Sequence, residues 1–231
     1  MSLPLFLVDS LDVTVLDGPE GHHAADVMRL RVGEGLLLGD GRGGMASAVV
    51  RAAGKGRLDL SIVERWYADP PAPRLVVAQG IAKGDRGELA VQAMTEVGVD
   101  EIVPWAALRS VARWKDDRPL ERWRSTAREA AKQARRAWLP VVSALVSTSD
   151  LAPRVTFVLH ETATARLSTV DIPGSDELVL VVGPEGGVAP EELAAFTAAG
   201  AVPVRLGDTV LRTSTAGVAA LSVLSGRLGR W

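Results

Sequence analysis

The sequence contains no cysteine. That excludes disulfides, thiolate zinc sites and cysteine nucleophiles, and it fits a reducing cytosol. The only histidines are His22, His23 and His160. They lack metal-ligand spacing and partners, so no metal is expected. No apolar run is long enough to span a bilayer, so no membrane partner is expected either. The stretch Met1–Ser10 puts no basic residue ahead of its apolar ones and does not read as a secretory signal, which points to a cytoplasmic location. Internal repeats and low-complexity tracts are missing. A strong net charge is missing as well, at −2, which by itself argues slightly against a nucleic-acid partner. What is present is a chain of 231 residues, 47% hydrophobic, able to bury a sizeable core in one large domain or two small ones.

The charge is unevenly spread. Between Arg109 and Arg136 stand ten basic and four acidic residues, a local +6, while the remainder of the chain carries 16 basic and 24 acidic ones. A basic patch on an acidic background can direct a polyanion to one face. A helix is expected over about Glu121 to Trp138. At 100° per residue, Trp123, Ala127, Ala130, Ala131, Ala134, Ala137 and Trp138 share one face. Arg124, Arg128, Lys132, Arg135 and Arg136 share the opposite one, with Glu121 among them. A solvated face is the plain reading of a charge run, but the acids are too few to pair these cations, which favours phosphate contact. Trp123 and Trp138 read as core or dimer contacts, and Trp114 as a residue that could stack on a base.

Asp69-Pro70-Pro71-Ala72-Pro73 reads as a stiff linker. Before it, Leu3–Val8, Leu36–Leu38, Met45–Val50 and Leu58–Val63 are strand candidates, consistent with a small closed or partly closed barrel over 1–70. Gly39-Asp40-Gly41-Arg42-Gly43-Gly44 is a turn between two of them and opens no helix, so it is not a dinucleotide fingerprint. From 74 to 231 strands and helices alternate, as in an α/β domain with a mostly parallel sheet. Strands are expected at Leu75–Gln79, Glu101–Trp105, Val155–His160, Leu178–Val182 and Val202–Leu206. Helices are expected from Asp85 to Gly98, from Pro190 to Gly200 and from Thr215 to Leu228.

Two loops carry chemistry. Gly183-Pro184-Glu185-Gly186-Gly187 follows a buried strand and precedes a helix, where ligands bind in open α/β sheets; taken alone, a tight strand-to-helix turn explains it equally well. Leu206-Gly207-Asp208-Thr209-Val210-Leu211-Arg212-Thr213-Ser214-Thr215-Ala216 repeats that arrangement. Taken alone, it is better explained by Thr213, Ser214 or Thr215 capping a helix; as a ligand loop, it offers Arg212 as its cation.

Together the two loops resemble the carboxy-terminal region of SPOUT-class methyltransferases, and more narrowly the RsmE family of ribosomal RNA uridine-N3 methyltransferases. Further matches are Lys83-Gly84-Asp85-Arg86 leading into Gln92–Val99 with Pro104 downstream, Arg122-Trp123 leading into Glu129–Gln133 with Arg135 or Arg136 and then Pro140, and His22-His23 with Val27-Met28-Arg29 ahead of Gly39-Asp40-Gly41. The resemblance covers nearly the whole chain. It implies a PUA-like RNA-binding barrel, a trefoil-knotted SPOUT domain with a mostly parallel sheet, and a homodimer. It also implies S-adenosylmethionine as cofactor and 16S ribosomal RNA as substrate, within an assembled small subunit. The strand pattern alone contains no knot, since chain threading is excluded by default. On this basis Leu159, His160, Gly183, Pro184, Glu185, Gly186, Gly187, Leu206, Gly207, Val210, Leu211 and Thr213 are the cofactor candidates. Arg212 is the catalytic candidate, and Glu161 and Glu185 are candidate bases. His23, Arg29, Lys83, Arg86 and Arg109 join the helix cations as RNA-contact candidates.

The chain departs from the family at Ser214, where glutamate is usual, and at Met1–Leu5, which lacks the family's arginines. Ser214 keeps open a non-catalytic RNA-binding protein on the same fold, and a SPOUT enzyme acting on transfer RNA is a third reading. The stripe Val218, Leu221 and Leu224 in the last helix, with Ala219 and Val223 beside it, suggests a dimer face.

Overall fold

The structure, a computed structural model, describes residues 3–231. Met1 and Ser2, which open both the arginine-free segment and the stretch read for a secretory signal, lie outside the described residues. The chain forms two compact units, one of residues up to Pro70 with Ala131–Leu139, the other of Pro71–Ala130 with Pro140–Trp231.

The first unit is a five-stranded sheet ordered β1-β3-β4-β5-β2, with strands β1 (Leu5–Leu7), β2 (Val15–Leu16), β3 (Gly35–Gly39), β4 (Gly44–Gly54) and β5 (Arg57–Tyr67). β1 runs parallel to β3, and the remaining pairs are antiparallel. Alternate residues turn Phe6, Leu36, Leu38, Ala46, Ala48, Leu58 and Leu60 into one core. The Gly39–Gly44 turn forms because the Asp40 carboxylate accepts the amides of Arg42 at 2.7 Å and Gly44 at 3.0 Å. Between β2 and β3, α1 (Gly18–His22) continues into a π-helical turn at His23–Val27. The segment 131–139 is stitched to the strands by Leu139 N–H to Gly41 O at 3.1 Å and Trp138 Nε1 to Ala68 O at 2.8 Å.

The second unit is a six-stranded sheet ordered β11-β9-β10-β6-β7-β8, and every pair in it is parallel. Its strands are β6 (Arg74–Gly80), β7 (Glu101–Trp105), β8 (Val141–Val142), β9 (Phe157–Leu159), β10 (Glu177–Val182) and β11 (Val202–Val204). The helices are α2 (Arg86–Glu96), α3 (Arg118–Gln133), α4 (Thr148–Leu151), α5 (Pro190–Ala198) and α6 (Thr213–Arg227). The central strands are apolar on both faces because both are covered. Leu75, Val77, Leu178 and Leu180 meet α2 and α6, whereas Val76, Ala78, Val179 and Val181 meet Leu151 and Phe196.

Three expectations need correction. The basic helix does not reach Trp138: α3 starts earlier, at Arg118 with Pro119 in its first turn, and ends at Gln133. Its end is a Schellman motif, with Arg136 N–H bonded to Ala131 O at 2.9 Å and Arg135 N–H to Lys132 O at 3.0 Å. Arg135 holds the left-handed position of that motif at φ 53°. Ala134, Arg135, Arg136, Ala137 and Trp138 therefore share no helix face with the residues before them. Second, Leu221 and Leu224 of α6 are buried in the core of this unit, which leaves Val218, Ala219 and Val223 as the partly exposed part of the stripe. Third, β2, β8, α1 and α4 have too few residues to show a period, and the sequence pattern missed them.

Candidate functional site

The carboxyl ends of β9, β10 and β11 lie side by side, and the loops leaving them enclose a pocket of about 370 Å³. That is within the usual range for a cofactor-sized ligand. All twelve cofactor candidates line it, as do Arg212 and Glu161.

The first wall is the loop after β10. Gly187 closes a turn by donating to Pro184 O at 2.9 Å. It sits at φ +73°, and a Cβ there would meet nothing within 4 Å, so a side chain could extend into open space from a backbone that L residues avoid. Pro184 packs against the end of β6 so closely that a Cβ on Gly80 would stand 2.7 Å from it.

The second wall is the loop from Arg205 to Thr213. Asp208 bridges Arg205 at 3.1 Å and Arg166 at 3.3 Å. Arg212 adopts extended backbone at the N-cap of α6. Its carbonyl accepts the amides of Thr215 and Ala216. The third wall is Leu159, His160 and Glu161, with His160 Nδ1 at 2.9 Å from Thr162 Oγ1.

The charges sort themselves. Glu185 accepts from Lys83 N–H and from Arg86 Nη1, both at 3.0 Å. Burial pushes its carboxyl up, but hydrogen bonds from its own amide, from the Lys83 amide and from Arg86 outweigh that and hold it below the ordinary range. A carboxylate held by these partners braces the loop, which makes Glu185 the weaker of the two candidate bases. Asp208 is taken by its two arginines. Arg212, half of a bracing pair in neither case, makes no ion pair among the described residues. Ser214 is 5% exposed and does not line the pocket.

The RNA-contact candidates divide. In the second unit, Arg86 lines the pocket, and Arg109 reaches the same loop by donating to Gly186 O at 3.2 Å. Arg124 is engaged by Glu121 at 2.7 Å and by Val142 O, while Arg128 stands exposed on α3. In the first unit, His23 and Arg29 are exposed. Lys132 is not available to phosphate: its side chain is 11% exposed and bonded to Glu20 at 3.0 Å. Pairing of the helix cations is thus more extensive than the acids within that stretch suggested, because Glu20 and Glu88 come from elsewhere in the chain. Trp114 is partly buried and packed edge-to-face with Trp123, ring centroids 5.1 Å apart. Among the described residues no group of three or more His, Asp or Glu could hold a metal, and no helix is long and apolar enough to cross a membrane.

Sequence reasoning missed Gln79 and Gly80. Gln79 is fully buried, and its Nε2 donates to Thr213 Oγ1 at 2.8 Å; that hydroxyl in turn reaches Gly183 O at 2.8 Å. The only local signal was an amide and a glycine ending an otherwise apolar strand.

Residues 69–225 match the RNA methyltransferase domain, and residues 16–63 match the RNA methyltransferase PUA domain. A ribosomal RNA small subunit methyltransferase E from Mycobacterium tuberculosis is 47% identical, covering 98% of this chain and 93% of its own length. The protein of that name from Bacillus subtilis is 30% identical, covering 91% and 88%. Among solved structures, a ribosomal RNA small subunit methyltransferase E from Neisseria gonorrhoeae bound to S-adenosyl methionine superposes with a TM-score of 0.87 at 26% identity, covering 98% of both chains. With two walls of its pocket built from the loops that carried the resemblance, and with relatives matched end to end, this chain belongs to the RNA methyltransferase family, in the group of the ribosomal RNA small subunit methyltransferases E.

Proposed function

We propose that this chain transfers a methyl group from S-adenosylmethionine to N3 of a uridine in 16S ribosomal RNA, acting in the cytoplasm as a homodimer on an assembled small subunit. The observation that carries the reading is the convergence of the 183–187 and 206–213 loops on one pocket whose cation, Arg212, has no carboxylate partner among the described residues. The pocket fits the cofactor in size. Its glycines bring backbone to the cavity wall without side chains in the way. The residues that would hold the cofactor are the backbone and short side chains of Leu159, His160, Gly183–Gly187, Leu206, Gly207, Val210, Leu211 and Thr213. When bound, S-adenosylmethionine supplies an electrophilic methyl group.

The protein then has three tasks. It must hold the two reactants in line, worth roughly 7–11 kcal/mol of the barrier. It must let the N3 proton leave, and Glu161, exposed and lining the pocket, is the carboxylate left for that after Glu185 is committed to Arg86. It must stabilise the uracil oxygens as negative charge gathers, which Arg212 can do at any working pH. Lys83, Arg86, Arg109, Arg124 and Arg128 in the second unit, and His23, Arg29, Arg135 and Arg136 in the first, are the groups proposed to contact the RNA backbone. The dimer reading rests on the family resemblance. Sedimentation at micromolar concentration tests it, and a monomer would reject it.

The deciding experiment is mass analysis of ribosomal and transfer RNA after incubation with protein and labelled S-adenosylmethionine. The expected product is 3-methyluridine in small-subunit RNA. Label in transfer RNA alone, or none in a protein that binds the cofactor, would replace this reading with one of its rivals.

A further inference from the structure

We propose that Gln79 is a positioning residue for the pocket, setting from beneath the spacing between the loop after β10 and the start of α6. Its side chain is fully buried on the face of β6 shared with Leu75 and Val77, where the neighbouring side chains are apolar. It does not line the pocket. Gly183 and Thr213 both do, and Gln79 reaches them through one hydroxyl: Nε2 to Thr213 Oγ1 at 2.8 Å, and Thr213 Oγ1 to Gly183 O at 2.8 Å.

The direction of this relay is fixed by chemistry. A backbone carbonyl can only accept, so the single hydroxyl hydrogen of Thr213 goes to Gly183. The amide of Gln79 must then donate, which turns its NH₂ toward Thr213. The second amide hydrogen is spent on Gly80 O at 3.3 Å. Oε1 is left buried with no hydrogen-bond partner among the described residues. An orphaned buried acceptor is destabilising, and an apolar side chain of similar shape would avoid it. Retaining an amide here is therefore poorly explained by stability and well explained by the relay. With the amide present, the Thr213 hydroxyl is held from one side and points to Gly183 from the other. Three segments distant in sequence, the ends of β6 and β10 and the start of α6, are locked at one spacing. Without it, Thr213 can leave Gly183, and the two pocket loops lose their common anchor.

This proposal rests on the reading that the pocket holds S-adenosylmethionine. Gln79→Met removes the donor and the orphan while nearly keeping side-chain shape; Gln79→Leu is a second apolar variant. The measurements are the thermal midpoint, calorimetric affinity for S-adenosylmethionine, and single-turnover rate at saturating cofactor. The expected result is a midpoint equal to or above the parent's, affinity weakened about tenfold, and a saturated rate within threefold. In a Thr213→Val background, Gln79→Met should weaken affinity no further, because the relay is already cut. Affinity within twofold of the parent in a folded variant overturns the proposal, as does a further loss in the Thr213→Val background. Failure of both apolar variants to fold also overturns it, since the amide would then serve the fold. A parent that does not bind S-adenosylmethionine rejects the pocket reading itself, and this proposal with it.

Discussion

Arg212 has backbone and side-chain duties that can be separated. Its carbonyl accepts the first amides of α6, and any residue at this position can supply that. Arg212 lines the pocket and has no carboxylate partner among the described residues, so its charge is available to a substrate anion. Under the proposed chemistry, that charge matters most when uracil has lost its proton. Arg212→Ala should therefore lower the single-turnover rate by roughly 10²–10³-fold while cofactor affinity stays near the parent's. A rate within a few-fold of the parent, with RNA and cofactor saturating, would remove Arg212 from the catalytic role. Gly187 makes a second test at this scale. Gly187→Arg puts a long side chain on a pocket-lining loop at φ +73° and is expected to abolish calorimetric binding of S-adenosylmethionine. Gly187→Asn, which tolerates the left-handed region better, shows how much of the loss is backbone strain. Undiminished binding in a folded Gly187→Arg protein would refute the assignment of this loop. Both residues could be singled out from sequence, because a glycine run after an apolar strand and an arginine before a capped helix are local signals. Gln79 could not, since its partner lies 134 residues away.

Among elements, the end of α3 is the instructive one. A 3.6-residue pattern of alanines and tryptophans carries on to Trp138, so periodicity alone extends the helix by five residues. The chain instead turns at Arg135, whose left-handed backbone closes the Schellman motif, and Trp138 spends its indole N–H on Ala68. A non-glycine residue in that region costs roughly 1–2 kcal/mol. Arg135→Gly should accordingly be more stable than Arg135→Ala by about 1 kcal/mol in denaturant unfolding, a comparison in which both variants lack the side chain. Equal stability would mean that the turn relaxes without its left-handed residue. By contrast, α2 and α5 ended where the sequence placed their stops. Gly98 at φ +95° and Gly200 at φ +103° supply the conformation a helix end needs, with no side chain to oppose it.

For the whole molecule, acid stability follows from a charge cluster around the buried Glu101 at the amino-terminal edge of the parallel sheet. Glu101 is 6% exposed, and it accepts Ser143 Oγ at 2.6 Å, Arg74 at 3.0 Å and Arg154 at 3.2 Å. Burial pushes its carboxyl up, but the Ser143 and Arg154 hydrogen bonds and the charges of Arg154 and Arg74 more than offset this, so it lies below its ordinary value of 4.5. A depressed folded value adds stability that is present above 4.5 and is lost as pH falls through the folded value. Glu101→Gln should therefore flatten the fall of unfolding free energy with pH in the acid range. An unchanged slope would show that other carboxylates carry it. What the sequence by itself determined is the alternation of strands and helices, the two pocket loops and most helix stops. Each is written in neighbouring residues as an apolar run, a glycine or a cap. Only the tertiary structure decided that the loops after β9, β10 and β11 face one cavity, that Glu185 belongs to Arg86 and Asp208 to Arg205, and that Lys132 is spent on Glu20. Those pairings depend on the order of strands in the sheets and on where the chain returns, and contacts between distant residues leave no period or spacing in the sequence from which to read them.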